Sequence, residues 1–221
     1  ANAIAADAVT DLRCEYLRDP LGIDAAQPRL SWVMTSGEQG AAQTAYQVLV
    51  SSTLEKLAAD SGDLWDSGKV ASSQSTQIAY AGKPLQPRDA CFWKVKIWNE
   101  SGRESAWSKS ARWTMAPDWQ AKWIGCDWMK EGGPLPLLRK TFDIAAAPSR
   151  AEISVCALGY YELYVNGKKV GDDVLSPATS DYSKRGLYIT HDITNLLKPG
   201  KNCLGIWLGR GWSMPILERA S

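Results

Sequence analysis

Histidine is nearly missing from this chain, with His191 alone among 221 residues. A transition-metal site is disfavoured accordingly, because the five cysteines do not make up the deficit. Cys14, Cys91, Cys126, Cys156 and Cys203 lie far apart and show no C-x-x-C spacing, which argues against a zinc ribbon or a dithiol redox pair. Five thiols cannot all pair within one chain, and Cys91, Cys156 and Cys203 fall in apolar strand patterns, so buried free thiols are expected. Runs of lysine or arginine are also lacking, and the formal charge is only +1. Neither nucleic acid nor an anionic membrane surface is therefore an expected partner. No apolar stretch approaches the ~20 residues that span a bilayer, which disfavours a transmembrane role.

Phenylalanine is scarce and tryptophan abundant, two against eleven. Indole rings fill cores, and they are also flat faces on which sugar C–H groups stack. Most of the tryptophans sit in strand-like alternation, so the core role is the default for any one of them. Apolar residues at 45% suffice for packed cores, and the length fits one or two domains.

Helical periodicity is absent up to residue 115, apart from one turn-like segment at 54–60. Short alternating strands separated by turns take its place, an all-β pattern. Tyr46, Val48 and Val50 alternate with Gln47, Leu49 and Ser51; Cys91, Trp93, Val95 and Ile97 alternate with Phe92, Lys94, Lys96 and Trp98. Trp93 and Trp98 thus lie on opposite faces of one strand. A turn at 99–102 closes a hairpin, and the Trp-Ser segment at 105–108 is expected to run back as a strand. Pro117 ends the first module, giving domains 1–116 and 117–221, with residues 119–125 expected as a stiff joint.

The second module opens with a loop at 131–136. Strands are expected at 137–142, 151–157, 160–165, 187–190 and 202–208, with one helical turn at 192–197. Asn166-Gly167 supplies the positive φ angles of a two-residue hairpin turn, with Tyr161, Leu163 and Val165 on one face and Glu162 and Tyr164 on the other. About six strands are countable, where a closed sandwich of this class needs roughly eight. The fold expected is a fibronectin-III/immunoglobulin-like sandwich followed by a jelly-roll-like sandwich, incomplete within this sequence. Residues 213–221 look unlike a further strand.

Several ordered runs carry a family resemblance: LRCEYL at 12–17, DPLGID at 19–24, PRLSW at 28–32, QTAYQVLV at 43–50, DLWDSGKV at 63–70, FWKVKIW at 92–98, AKWIG at 121–125, and ALGYYELYVNGKKVGD followed by DVLSPATSDY at 157–182. Together they resemble the opening of bacterial α-L-rhamnosidases over nearly the whole chain, fading after Trp212. The order of aromatic strand, glycine turn and Trp-Ser segment is similar to fibronectin type III modules. The resemblance implies inverting hydrolysis of terminal α-L-rhamnose by two carboxylates in an α/α barrel that follows the β-modules. That barrel has no counterpart here, so no catalytic residue is carried over.

The resemblance further implies a rhamnose-binding second sandwich in some members, where calcium takes acidic and amide oxygens together with the sugar's vicinal hydroxyls. Asp172 and Asp173 are the candidate calcium ligands here, with Asn166 as a further sugar- or calcium-binding candidate. The plainer reading is that the two acids solvate a turn and Asn166 serves the turn's geometry. Arg210 and Trp212, flanking Gly211, could line the sugar site with a planar donor fork and a stacking face; a strand ending in a glycine-rich turn is the plainer reading there too. His191 beside Asp192 is expected to be a solvated strand-end residue, since no G-x-S-x-G nucleophile context accompanies it.

Two functions follow. The first is the non-catalytic N-terminal part of an α-L-rhamnosidase, needing no cofactor except calcium at the sugar site. Its partners would be a catalytic barrel, in the same protein or a companion chain, and rhamnose-containing glycans or flavonoid rhamnosides. The second is a stand-alone lectin or adhesion protein. Residues 1–6 are small, as after signal-peptide cleavage, although the charged and apolar signal regions are missing; a periplasmic or secreted location is the expectation.

Overall fold

A computed structural model describes residues 7–125 and 135–211. The chain divides into two compact units, Ala1–Asp118 and Trp119–Ser221. The expectations for residues 1–6, Cys126, most of the 131–136 loop and 213–221 lie outside the described residues.

In the first unit the strands are β1 (Ala8–Cys14), β2 (Arg29–Thr35), β3 (Gln43–Ser51), β4 (Trp65–Asp66), β5 (Val70–Ala71), β6 (Ile78–Ala79), β7 (Ala90–Asn99) and β8 (Ala111–Thr114), with one short helix, α1 (Leu54–Ala58). They form two antiparallel sheets. One has the order β1-β2-β6; the other runs β4-β3-β7-β8, with β5 also paired to β3. The inward residues of both sheets make the core, with Leu30 and Trp32 from one and Val48, Val50, Trp93, Val95, Ile97 and Trp113 from the other. This is the alternation expected of sandwich strands. Thr53 caps α1 by accepting the Lys56 amide at 3.3 Å.

Edge-to-face aromatic contacts run through that core, from Trp65 to Tyr80 (5.5 Å), Tyr80 to Trp113 (6.0 Å) and Trp113 to Trp93 (6.4 Å). Trp32 is held differently, since its indole N–H donates to buried Gln43 Oε1 at 2.9 Å, while Gln43 Nε2 donates to the carbonyls of Ser72 and Gln74. The indole N–H groups of Trp93 and Trp113 have no hydrogen-bond partner among the described residues.

Trp98, on the opposite face of β7 from Trp93, is nonetheless 9% exposed. Lysine ammonium groups cover it: Lys69 and Lys96 Nζ lie over its ring at 4.5 and 5.2 Å, and Lys96 and Lys94 Nζ lie over Trp107 at 4.9 and 5.0 Å. Lys94 also donates to the Leu57 carbonyl and pairs with Asp60. The segment 105–108 is not the strand its sequence suggests. Ser105 and Ser108 receive the Ile97 and Val95 amides on their hydroxyl oxygens, each at 3.1 Å, and return their own amides to the carbonyls of the same two residues. Serine side chains thus substitute for ladder carbonyls where the backbone is not extended.

The second unit contains β9 (Leu137–Ile144), β10 (Glu152–Cys156), β11 (Tyr160–Val165), β12 (Lys168–Lys169), β13 (Tyr188–Asp192) and β14 (Gly200–Gly209), with a 3-10 turn at Thr194–Leu196. A sheet of order β12-β11-β14-β9 faces the pair β10-β13. Tyr161, Leu163 and Val165 point into the core between them, joined by Val155, Val170 and Ile193. The hairpin turn has the expected dihedral signs, with Asn166 at φ 51° and Gly167 at φ 81°. Every strand expected in this half has a counterpart, and the helical turn is a 3-10 turn.

A buried amide pair ties the hairpin tip to β14. Asn166 Nδ2 donates to Asn202 Oδ1 and to the Leu196 carbonyl, both at 2.8 Å, and Asn166 Oδ1 accepts the Cys203 amide at 2.9 Å. Asn202, 1% exposed, donates to the carbonyls of Lys198 and Gly200 and accepts the Lys198 amide. Each oxygen and nitrogen of the pair has a partner, which is the condition for burying amides without loss.

Two outcomes follow. Trp32→Phe orphans Gln43 Oε1, whereas Trp93→Phe removes an N–H that was already unpaired, so Trp32→Phe should cost about 1–2 kcal/mol more, read from the urea midpoint of the first unit. Asn166→Asp keeps the turn but sets a carboxylate oxygen against Asn202 Oδ1 and the Leu196 carbonyl. It should weaken the second unit by about 1–3 kcal/mol and speed hydrogen exchange at the Cys203 amide; unchanged exchange would refute this role.

Candidate functional site

The candidate loop begins where β12 ends. Val170 donates to the Leu163 carbonyl at 2.8 Å, and Tyr161 donates its amide to the Ser176 carbonyl at 3.0 Å, so residues 171–176 fold back beside β11. Gly171 takes φ +72°, a left-handed conformation that suits glycine. A Cβ built on it would lie 3.5 Å from Asp173 Oδ2, 3.7 Å from His191 Nδ1 and 3.8 Å from His191 Cε1. Asp173 and His191 therefore meet over Gly171.

Sequence reasoning placed His191 in solvent, and the structure corrects this. Its neighbour across the core is Tyr161, whose hydroxyl lies 2.8 Å from His191 Nε2, with the rings at 89° and 6.1 Å. The residue is half-buried because β13 pairs with β10 and turns position 191 toward the β11 layer. Burial lowers the His191 pKa, and the charge of Asp173 opposes that shift without reversing it. The imidazole thus stays neutral where a solvated histidine would begin to protonate. Burial pushes the Tyr161 hydroxyl up, and Asp173 adds to the effect. Tyr161, His191 and Asp173 form a polar corner that can exchange hydrogen bonds with a ligand; they include no activated nucleophile.

The other candidates are distributed unevenly. Asp172 and Asp173 are both exposed on the irregular loop, and Asn166 has spent both ends of its amide on the hairpin clasp. A calcium ligand at 166 would have to share its Oδ1 with the Cys203 amide. Arg210 is exposed at the end of β14, and Trp212 lies outside the described residues. The glycines around Arg210 serve backbone approach: a Cβ at Gly211 would fall 2.5 Å from Gly159 Cα, and one at Gly209 would fall 3.2 Å from Tyr160 Cβ. Among the described residues no group of three or more His, Cys, Asp and Glu side chains converges as a metal site. Two exposed carboxylates are nonetheless the right donor type for calcium, and neutral oxygens of the loop or of a sugar could complete a shell of six to eight.

Two features went unread in the sequence. The Tyr161–His191 contact joins residues 30 apart through the facing of two sheets, which no local pattern encodes. The thiols also differ from expectation: Cys14 and Cys91 are buried, but Cys156 and Cys203 are only partly so, all four being free. Cys203 lies on β14 and accepts Arg139 Nε at 3.3 Å. Strand faces were available from alternation; partners across sheets were not.

Comparison with known proteins assigns both halves. Residues 9–117 match the family described as Rha78A-like, N-terminal immunoglobulin domain, and residues 146–219 match the α-L-rhamnosidase N-terminal domain. An α-L-rhamnosidase of Formosa agariphila is 38% identical over 212 residues, covering 90% of this chain and 23% of the relative. The solved α-L-rhamnosidase of Dictyoglumus thermophilum is 38% identical with a TM-score of 0.86, covering 93% of this chain and 25% of that one. The α-L-rhamnosidase structure from Aspergillus terreus is 28% identical with a TM-score of 0.80, over 94% of this chain and 24% of that one. The chain thus spans about a quarter of the length of the relatives it matches. With both halves matching N-terminal domain models and with α-L-rhamnosidases as its relatives, the chain corresponds to the N-terminal β-modules of α-L-rhamnosidases.

Proposed function

We propose that these modules are the non-catalytic N-terminal region of an α-L-rhamnosidase that removes terminal α-L-rhamnose with inversion. The observation that carries this reading is the pair of N-terminal domain matches on a chain one quarter as long as its relatives. The modules brace the catalytic domain, shape the approach to its pocket and hold rhamnose-containing glycans or flavonoid rhamnosides near it.

Within the second unit, the loop carrying Asp172 and Asp173 is the proposed calcium-assisted sugar site. A bound calcium would supply a Lewis-acidic centre for vicinal hydroxyls. Asp172 and Asp173 would hold it, while the Tyr161–His191 corner stiffens the loop behind them. A lectin without hydrolase activity would use the same loop, and activity of the native protein separates the two readings.

Residues 1–221 alone should release no p-nitrophenol from p-nitrophenyl α-L-rhamnopyranoside, whereas the native protein that contains them should. Turnover by 1–221 that survives repurification, and is lost on substitution within this chain, would sink the proposal. In calorimetry, L-rhamnose should give binding heat only with calcium present, and Asp172→Asn with Asp173→Asn should abolish it. Heat that is unchanged by both substitutions would remove the loop from the site.

A further inference from the structure

The sheet β12-β11-β14-β9 has a face that the core does not use. Tyr161, Leu163 and Val165 point inward, so Tyr160, Glu162 and Tyr164 point outward. The register carries this face across the sheet. Glu162 stands opposite Trp207, which stands opposite Leu137; Tyr164 stands opposite Gly205, which stands opposite Arg139. Trp207 is 54% exposed and Leu137 68% exposed. Gly205 and Gly209 occupy the positions beside Trp207 on the same face of β14.

Packing does not demand glycine at 205. A Cβ there would come no closer than 3.8 Å to Tyr164 Cβ and 4.0 Å to the Leu138 carbonyl, and its φ is not positive. Glycine there places no side chain between Tyr164 and Arg139 in their cross-strand row, beside the row of Trp207. The Tyr164 ring lies 5.4 Å from the Trp207 indole, tilted by 38°. The polar groups around it are held in place. Glu162 accepts the Tyr164 hydroxyl at 2.7 Å and Lys169 Nζ at 2.6 Å, and Arg139 Nε donates to Cys203. A carboxylate retains further lone pairs in this arrangement, and a guanidinium retains its other donors.

We propose that this face binds a neutral pyranose ring, its C–H face stacked on Trp207 over Gly205 and its hydroxyls meeting Glu162 and Arg139. An aromatic plane fits the apolar side of a sugar, and fixed donors and acceptors at its edge fit the hydroxyl rim. Glu162 and Arg139 put charges of both signs on this face, which suits a neutral hydroxylated ligand better than a phosphate or an apolar protein surface. The site needs no calcium. The inference rests on reading the second unit as a sugar-directed module.

The test is a ¹H–¹⁵N titration of residues 1–221 with methyl α-L-rhamnopyranoside and methyl β-D-glucopyranoside, in EDTA so that the Asp172-Asp173 loop is silent. Expected are saturable shifts at the Trp207 indole N–H and the Gly205 amide with at least one glycoside. Trp207→Ala should weaken binding by about 10-fold or more, and so should Gly205→Val, which puts a side chain in that row while leaving the indole in place. Two results would overturn the proposal: no saturable shift on this face with either glycoside, or affinity unchanged in Gly205→Val with a native-like spectrum. Neither result touches the rhamnosidase reading, which turnover by the native protein decides.

Discussion

The second module depends on a fully satisfied amide pair. Asn166 sits at a hairpin tip where left-handed φ is required, and its side chain then reaches sideways to Asn202 and to the Cys203 amide. That one clasp fixes how β11 lies against β14. With the register set, Tyr161 points into the core toward His191, and Glu162 points outward beside Trp207. A slip of one residue would exchange the two faces and lose both arrangements. The asparagine considered as a metal ligand is therefore better understood as the part that aims the others.

The first module solves a different problem. Its core holds several large indoles, and a buried indole either finds an acceptor or leaves its N–H unpaired. Trp32 has the acceptor, because Gln43 stands on the facing sheet and spends its own donors on the 72–74 segment. Trp93 and Trp113 instead pack edge to face. On the outer surface the same residue type is covered by lysine ammonium groups lying over the ring, a cation–π arrangement. Tryptophan abundance in this chain thus has several physical causes, and core filling is only one.

The second module displays polar features at separate places. The loop at 171–176 offers carboxylates, the corner behind it offers a neutral imidazole and a phenol, and the outer sheet offers an aromatic plane. Sugar rings present both an apolar face and a hydroxyl rim, which is the chemistry that the proposed sugar sites would use.

Alternation along the chain was enough to determine the all-β character, the two long central strands of the first module, the strands of the second, the hairpin at Asn166-Gly167 and the inward set Tyr161, Leu163 and Val165. These are local consequences of a two-residue period and of φ angles that few residues accept. The 105–108 segment was misread because serine hydroxyls can stand in for backbone carbonyls, so a strand-like pattern there needs no strand. His191 was misread because its exposure depends on which strand lies across from it. Only the tertiary structure decided that Tyr161 meets His191, that Asn166 meets Asn202 and that Glu162, Trp207 and Gly205 share an open face. Those are contacts between strands distant in sequence, and the pairing that creates them is set by burial across the whole sheet rather than by any residue's neighbours in the chain.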